Sequence, residues 1–240
     1  MDKDGIREAV WDRLEADGIA RFPFPPHGRI PNYANAERAA ERLTETAEWV
    51  DADTIKANPD SPQRPVRRIA LEEGKDVYMA VPRLRDERCF LHLDPDTIGD
   101  PAEASTLSGS REAGAAVLPD ALSPIDLIVT GCVAVGPDGT RIGKGEGYSD
   151  LEYAILRELS RVDADTPVAT TVHPVQLRDD VPAPEPHDIL VDVIVTAEET
   201  RYVERSAQRP DGINWQLLTD DDRRAMPILE RLWDQQHSTE

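Results

Sequence analysis

Residues 141 to 150 read Arg-Ile-Gly-Lys-Gly-Glu-Gly-Tyr-Ser-Asp, which places glycines at 143, 145 and 147 between Arg141 and Lys144. Glycine lets backbone N–H groups approach a ligand closely, and the two cations add positive charge, so the stretch is suited to holding a phosphate. The same pattern also describes a glycine-rich β-turn that binds nothing. A second pair of cations, Lys3 and Arg7, stands at the start of the stretch Asp4 to Ala16, where Ile6, Val10, Trp11 and Leu14 repeat at helical spacing. Cations four apart on a helix share a face, so both can reach one polyphosphate, or they are two ordinary surface charges.

These groups need a frame. Ile125 to Val129 and Val133 to Val135 are short β-branched runs of the kind found in a sheet covered on both faces, and Pro137-Asp138-Gly139 between them and the glycines signals a turn. The segment from Ser149 to Leu159 has helical apolar spacing, with Ser149 and Asp150 at the expected N-cap, so a phosphate in the glycine loop would face a helix N-terminus. Asp150 therefore has a purely structural reading as a cap.

Elsewhere the pattern predicts strands at Trp49 to Ile55, Asp76 to Arg83, Arg88 to Leu93, Pro167 to Val175 and Ile189 to Thr196, with helices at Ala34 to Glu48 and Asp220 to Gln235. The proline-rich stretches 21 to 33, 56 to 67 and 179 to 187 read as loops, and 99 to 123 as a surface connection. In and just after 56 to 67, Arg64, Arg67 and Arg68 either bind something anionic or pair with Asp60, Glu72 and Glu73. Strands alternating with helices predict an α/β fold, a three-layer α/β/α domain with a mostly parallel sheet over residues 1 to 200, with residues 201 to 240 as a helical extension packed on it. In such a sheet the Gly143 loop, Asp150 and Asp188 would lie at the carboxyl ends of the strands.

Composition narrows the function classes. The chain has 47 acidic against 27 basic residues, a formal net charge of -20, and only four lysines, at 3, 56, 75 and 144. Such an acidic, lysine-poor surface suggests a high-salt cytoplasm and argues against general affinity for nucleic acid, which needs a basic face. Cys89 and Cys132 lack the spacing of a zinc site or redox pair and are expected to be buried and reduced. No apolar run is long enough for a membrane span, and the charged N-terminus does not resemble a signal peptide, so a soluble cytoplasmic protein is expected.

RIGKGEGYSD resembles the RLGxGxGYYD signature of the 5-formyltetrahydrofolate cyclo-ligases, or methenyltetrahydrofolate synthetases, and the wider stretch from Ile125 to Ala154 resembles their divergent synthetase-domain-containing branch. Lys3 with Arg7, Gly74-Lys75 through Pro82-Arg83, and His187-Asp188 through Val191-Asp192 to Thr196 match further family patterns in order. The resemblance implies a cyclo-ligase-like fold, ATP and Mg²⁺ as cofactors, a reduced folate as substrate, and cyclisation of 5-formyltetrahydrofolate through a phosphorylated formyl group. It places Lys3, Arg7, Arg141, Gly143, Lys144, Gly145, Gly147 and Tyr148 on the nucleotide, with Arg141 and Lys144 also catalytic, and Asp150 and Asp188 on the metal. The family's substrate glutamate has no counterpart; Asp60 and Gln63 occupy its neighbourhood and are the candidate substrate residues. Ser149 replaces the second tyrosine, and Glu146 replaces a loop lysine of many members, which predicts weaker ATP binding. The rival readings are a non-catalytic nucleotide- or RNA-associated protein keeping this fold, and an ATP-dependent enzyme acting on another one-carbon or pterin substrate.

Overall fold

The computed structural model describes residues 1–237. Its centre is an eight-stranded sheet in the spatial order Thr200–Tyr202, Val193–Val195, Val168–Thr171, Leu127–Val129, Thr54–Ala57, Asp76–Ala80, Phe90–Leu93, Ala115–Val117. The five strands from Val193–Val195 to Asp76–Ala80 are mutually parallel, and the outer three pair antiparallel. Every residue of the strands Thr54–Ala57, Leu127–Val129, Val168–Thr171 and Val193–Val195 is buried, which is why Leu127–Val129 and Val193–Val195 read as continuous apolar runs.

Alternation along the strands sends side chains into two cores. Ile55, Val77, Leu127 and Val193 pack with Ala40 and Leu43 of the helix Ala36–Leu43 and with Val66 and Ala70 of the helix Arg64–Glu72. Tyr78, Ile128, Val168 and Ile194 face the other way, onto Tyr153 and Ile155 of the helix Tyr148–Glu158 and onto Ile228 and Leu229 of the helix Pro227–His237. Helices on both faces of a mostly parallel sheet make the expected three layers. A third cluster joins Ile6, Val10 and Leu14 of the helix Lys3–Ala16 to Val133, Ala134 and Ile142.

Several local expectations are corrected. Val133 to Val135 does not enter the main sheet; Ala134–Val135 pairs only with Arg141–Ile142 in a two-residue hairpin, with Leu177 bridging to Val135. Trp49 belongs to the short helix Ala47–Val50, capped by Thr46, and the strand starts later, at Thr54. Residues 56 to 67 are not one loop: the strand runs through Ala57, and the helix opens at Arg64 with proline in its first turn. The stretch 99 to 123 folds as the helices Pro101–Ala104 and Leu107–Ala113 and an edge strand. The final helix is two, Asp220–Ala225 and Pro227–His237, divided where Met226 takes extended geometry before a proline. Among the described residues, no helix is long and apolar enough to cross a membrane. Both cysteines are buried thiols, and burial pushes Cys89 up to about 12 and Cys132 up to about 11.

Candidate functional site

The glycine loop leaves the Arg141–Ile142 hairpin strand and enters the helix Tyr148–Glu158. Gly147 itself is the N-cap residue, with φ 71°, a left-handed conformation that side chains rarely adopt. Ser149 and Asp150 are therefore inside the first turn. Ser149 instead accepts a hydrogen bond from the Asn58 amide at 2.6 Å, tying the helix to the end of the Thr54–Ala57 strand.

Two segments hold the loop from outside. Arg7 Nε donates to the Gly143 carbonyl at 2.8 Å, and a Cβ on Gly145 would stand 3.4 Å from the Arg7 guanidinium carbon. Arg7 thus lies within van der Waals reach of the loop. Lys3, one turn earlier, turns to the later segment, with its ammonium 3.1 Å from Asp188 Oδ2 and 3.9 Å from Glu185. The Asp188 carboxylate also accepts from the Glu185 amide at 2.9 Å.

Asp150 is tied up differently from a cap. Its Oδ1 accepts from Arg141 Nη2 at 2.6 Å and from the Ile189 amide at 2.9 Å. One carboxylate therefore joins the hairpin, the helix and the residue next to Asp188. The Arg141 side chain is only 3% exposed, so Asp150 is the counter-charge that makes its burial tolerable.

A cleft of about 520 Å³ opens in front of the loop, lined among others by Asn58, Asp60, Arg83, Arg141, Lys144 and Tyr148. Asn58 to Ser61 and Val81 to Arg83 follow directly on the parallel strands Thr54–Ala57 and Asp76–Ala80, so the cleft sits at the carboxyl ends of the sheet, where open α/β sheets bind ligands. Lys144 is 2.7 Å from Glu146, whose other oxygen is 3.6 Å from Arg83. Hydrogen bonding to Lys144, more than the charge of Arg83, holds the Glu146 carboxyl below its usual range. Asp60 is the opposite case: burial pushes its carboxyl up, against the nearby charge of Lys144. Gln63, expected beside it, is fully buried behind the cleft and points its amide at Thr171 and Gly131. Its 3-10 turn Ser61–Gln63 rotates residue 63 inward toward the sheet.

Among the described residues, the two groups of three metal-capable side chains are Glu185, His187, Asp188 and Glu8, Asp12, His27, each with donor atoms within 4.8 Å of one another. Neither includes Asp150. The Lys3 ammonium already occupies the cation position beside Asp188 and Glu185.

Residues 20–197 match the 5-formyltetrahydrofolate cyclo-ligase family along their whole length. The chain belongs to that family. Methenyltetrahydrofolate synthase domain-containing proteins are similar over nearly all of it: 40% identical across 97% of this chain for the Bos taurus protein and 36% across 97% for the Homo sapiens protein. The chain spans 62% of the length of the first and 61% of the second. The Aquifex aeolicus 5,10-methenyltetrahydrofolate synthetase structure superposes with a TM-score of 0.54 over 90% of this chain and 99% of its own, at 19% identity, a likeness of fold. Lys3, Arg7 and everything after residue 197 lie outside the matched cyclo-ligase segment.

A buried ion pair under the cleft escaped sequence reading. Lys56 and Glu152, 2% and 6% exposed, form an ion pair under the cleft, and Lys56 also donates to Asn58 at 2.8 Å. The signals were a lysine inside a fully buried four-residue strand and a glutamate on the buried face of a helix, each anomalous alone. The arginines after Asp60 also resolve: Arg67 is buried and donates to the backbone oxygens of Asn58, Asp60 and Ser105, while Arg68 pairs with Glu72 and Glu37. Glu73 takes the Trp49 indole N–H instead of an arginine.

Proposed function

We propose that this chain is an ATP- and Mg²⁺-dependent cyclo-ligase that converts 5-formyltetrahydrofolate to 5,10-methenyltetrahydrofolate. The observation that carries the reading is the meeting of Arg141, Lys144 and the glycine loop at the mouth of one cleft, with Arg7 holding the loop from outside, in a chain of this family. Lys144 and Arg141 neutralise the phosphates beside the loop amides, and Arg7 fixes the loop's backbone so that those amides are presented in one geometry. The formyl oxygen takes the terminal phosphoryl group, the neighbouring nitrogen attacks the same carbon, and phosphate departs, leaving the methenyl bridge. The protein's share is positioning and charge neutralisation.

Asp60 is the carboxylate for the pterin. Glu146, Glu152 and Asp150 are each ion-paired, whereas Asp60 has the Asn58 side chain and the more distant charges of Lys144 and Arg67. It faces the cleft with an oxygen able to accept from a pterin N–H. Asp188 and Glu185, whose donor atoms lie within 4.8 Å of each other, would offer oxygens to Mg²⁺, with Asp150, outside that cluster, reaching the ion through water; bound Mg²⁺ would supply charge neutralisation at the phosphates. Phosphates arriving on the loop offer Lys3 and Arg141 a more highly charged partner than a carboxylate, which releases Asp188 and Asp150 for the ion. The acidic composition supports a high-salt cytoplasmic setting, so the assay belongs in concentrated KCl.

A second reading, a nucleotide-binding protein without catalysis, is favoured by one fact: Lys144 is held by Glu146, and Asp150 and Asp188 by Arg141 and Lys3. The test is incubation with 5-formyltetrahydrofolate, ATP and Mg²⁺ while following methenyl absorbance. Growth of the methenyl band that requires ATP supports the cyclo-ligase; ATP binding without that band supports the second reading.

A further inference from the structure

The two edges of the central sheet are finished differently. At one, the strand Thr200–Tyr202 carries Arg201, held by Glu199, a charge of the kind that keeps a sheet edge from pairing further. At the other, the strand Ala115–Val117 has no charged side chain, and Ala115 and Ala116 are exposed. The register shows where its backbone points. The Val81 amide donates to the Cys89 carbonyl at 2.9 Å, so along Phe90–Leu93 the backbone groups of Leu91 face Asp76–Ala80, and those of Phe90 and His92 face Ala115–Val117. Ala116, opposite Leu91, therefore turns its N–H and carbonyl away from the sheet. The carbonyl accepts from the Arg88 guanidinium at a long 3.4 Å, and the N–H meets no acceptor among the described residues.

A groove of about 860 Å³ runs beside this edge. Met79, Leu91 and Ala116 are register partners and form its apolar floor, with Leu107 of the helix Leu107–Ala113, 44% exposed, beside them. The rim is basic. Arg83, Arg85, Arg88 and Arg111 line it against Asp86 and Glu87, an excess of cations in a chain of formal net charge -20. Arg85 and Arg111 are exposed and have no carboxylate partner among the described residues. The groove borders the cleft along Ala80 to Arg83 and Leu107 without including the glycine loop. An unpaired strand edge, an apolar floor and free guanidiniums fit an extended acidic chain. Its backbone bonds to Ala116, and its side chains on the groove's face, two residues apart, bring carboxylates to the arginines and apolar groups to Leu107.

We propose that this edge and groove form a docking site for an acidic, extended segment of a partner protein, added as a further strand beside Ala115–Val117. The experiment follows the fluorescence polarisation of a labelled peptide repeating aspartate, threonine, valine and threonine, which as a strand sets aspartate and valine on one face, against the full chain in dilute buffer. Wild type binds it and ignores the same peptide with lysine in place of aspartate. The double variant Arg85→Glu, Arg111→Glu, changed at exposed positions, weakens binding at least about tenfold. N-methylation of the peptide backbone, which removes its strand bonds, does the same and tests the edge on unaltered protein. Thermal melts matching wild type verify that the double variant folds. No binding by wild type, or binding that either perturbation leaves unchanged, overturns the proposal. Two other occupants would overturn it as well: an RNA oligonucleotide that binds more tightly than the peptide and displaces it, or a dimer in light scattering that the double variant dissociates, which would seat a second copy on the edge.

Discussion

Replacing Lys56 by methionine removes one half of the ion pair beneath the cleft and leaves Glu152, 6% exposed, without its counter-charge. Breaking a buried pair in this way costs about 3–5 kcal/mol, because the remaining charge is largely desolvated and has lost its partner. For a chain of this size each kcal/mol lowers Tm by roughly 2–4 °C, so Lys56→Met should melt about 6–20 °C below wild type. The double variant Lys56→Met, Glu152→Met removes both charges and keeps the volume. What remains is the Asn58 oxygen, which has lost the Lys56 donor at 2.8 Å, and one orphaned acceptor costs about 1–3 kcal/mol. The double variant should therefore be more stable than Lys56→Met alone, although it carries more substitutions. Equilibrium unfolding in urea at neutral pH, with the Glu152→Met single variant completing the cycle, measures the coupling. A loss below about 1 kcal/mol in Lys56→Met, the range of a hydrated surface pair, would refute the claim that this pair is sealed from water. Additive losses in the double variant would refute it as well.

Two further outcomes follow from the cleft. Glu146→Gln removes the carboxylate 2.7 Å from Lys144; relieving about 1 kcal/mol of repulsion at this partly exposed position should tighten tripolyphosphate binding about fivefold, and calorimetry showing weaker binding would mean that Glu146 supports the loop. Asp60 titrates higher in the folded chain than in the unfolded one because burial disfavours its charge; between those two values the folded state keeps the proton, so stability falls as pH rises through that window and stays lower above it. Asp60→Asn should therefore be more stable than wild type at neutral pH, with the difference shrinking as pH falls toward about 4, the ordinary range of an unfolded aspartate; unfolding curves in which the difference grows on acidification would contradict the buried-carboxyl assignment.

What the sequence made legible was local. The strands Leu127–Val129 and Val193–Val195 show as β-branched runs because both of their faces are covered, and the glycines at 143, 145 and 147 stand out by spacing alone. Partner choice was not legible. Asp150 looked like a cap because it stands near a helix start, and only the fold brings Arg141 and the Ile189 amide to it in place of the helix's own N–H groups. Lys56 and Glu152 are 96 residues apart, and no periodicity within either element foretells that a strand and a helix will press these two side chains together. Gln63 was misplaced for a similar reason: a single 3-10 turn separates the cleft-facing Asp60 from a side chain that ends up behind the sheet's edge.

The contact between Arg7 and the Gly143 carbonyl makes the first helix a clamp on a loop 136 residues away in sequence. That helix is itself anchored to the hairpin beneath the loop through Ile6, Val10 and Leu14. The two ends of the loop therefore answer to different parts of the chain: its start to the N-terminal helix, its exit to the strand end at Asn58 through Ser149. Trimming even the first turn or two of the N-terminus would leave the glycines in place but undamp them, turning a shaped receptor into a fluctuating tether whose amides no longer share one direction.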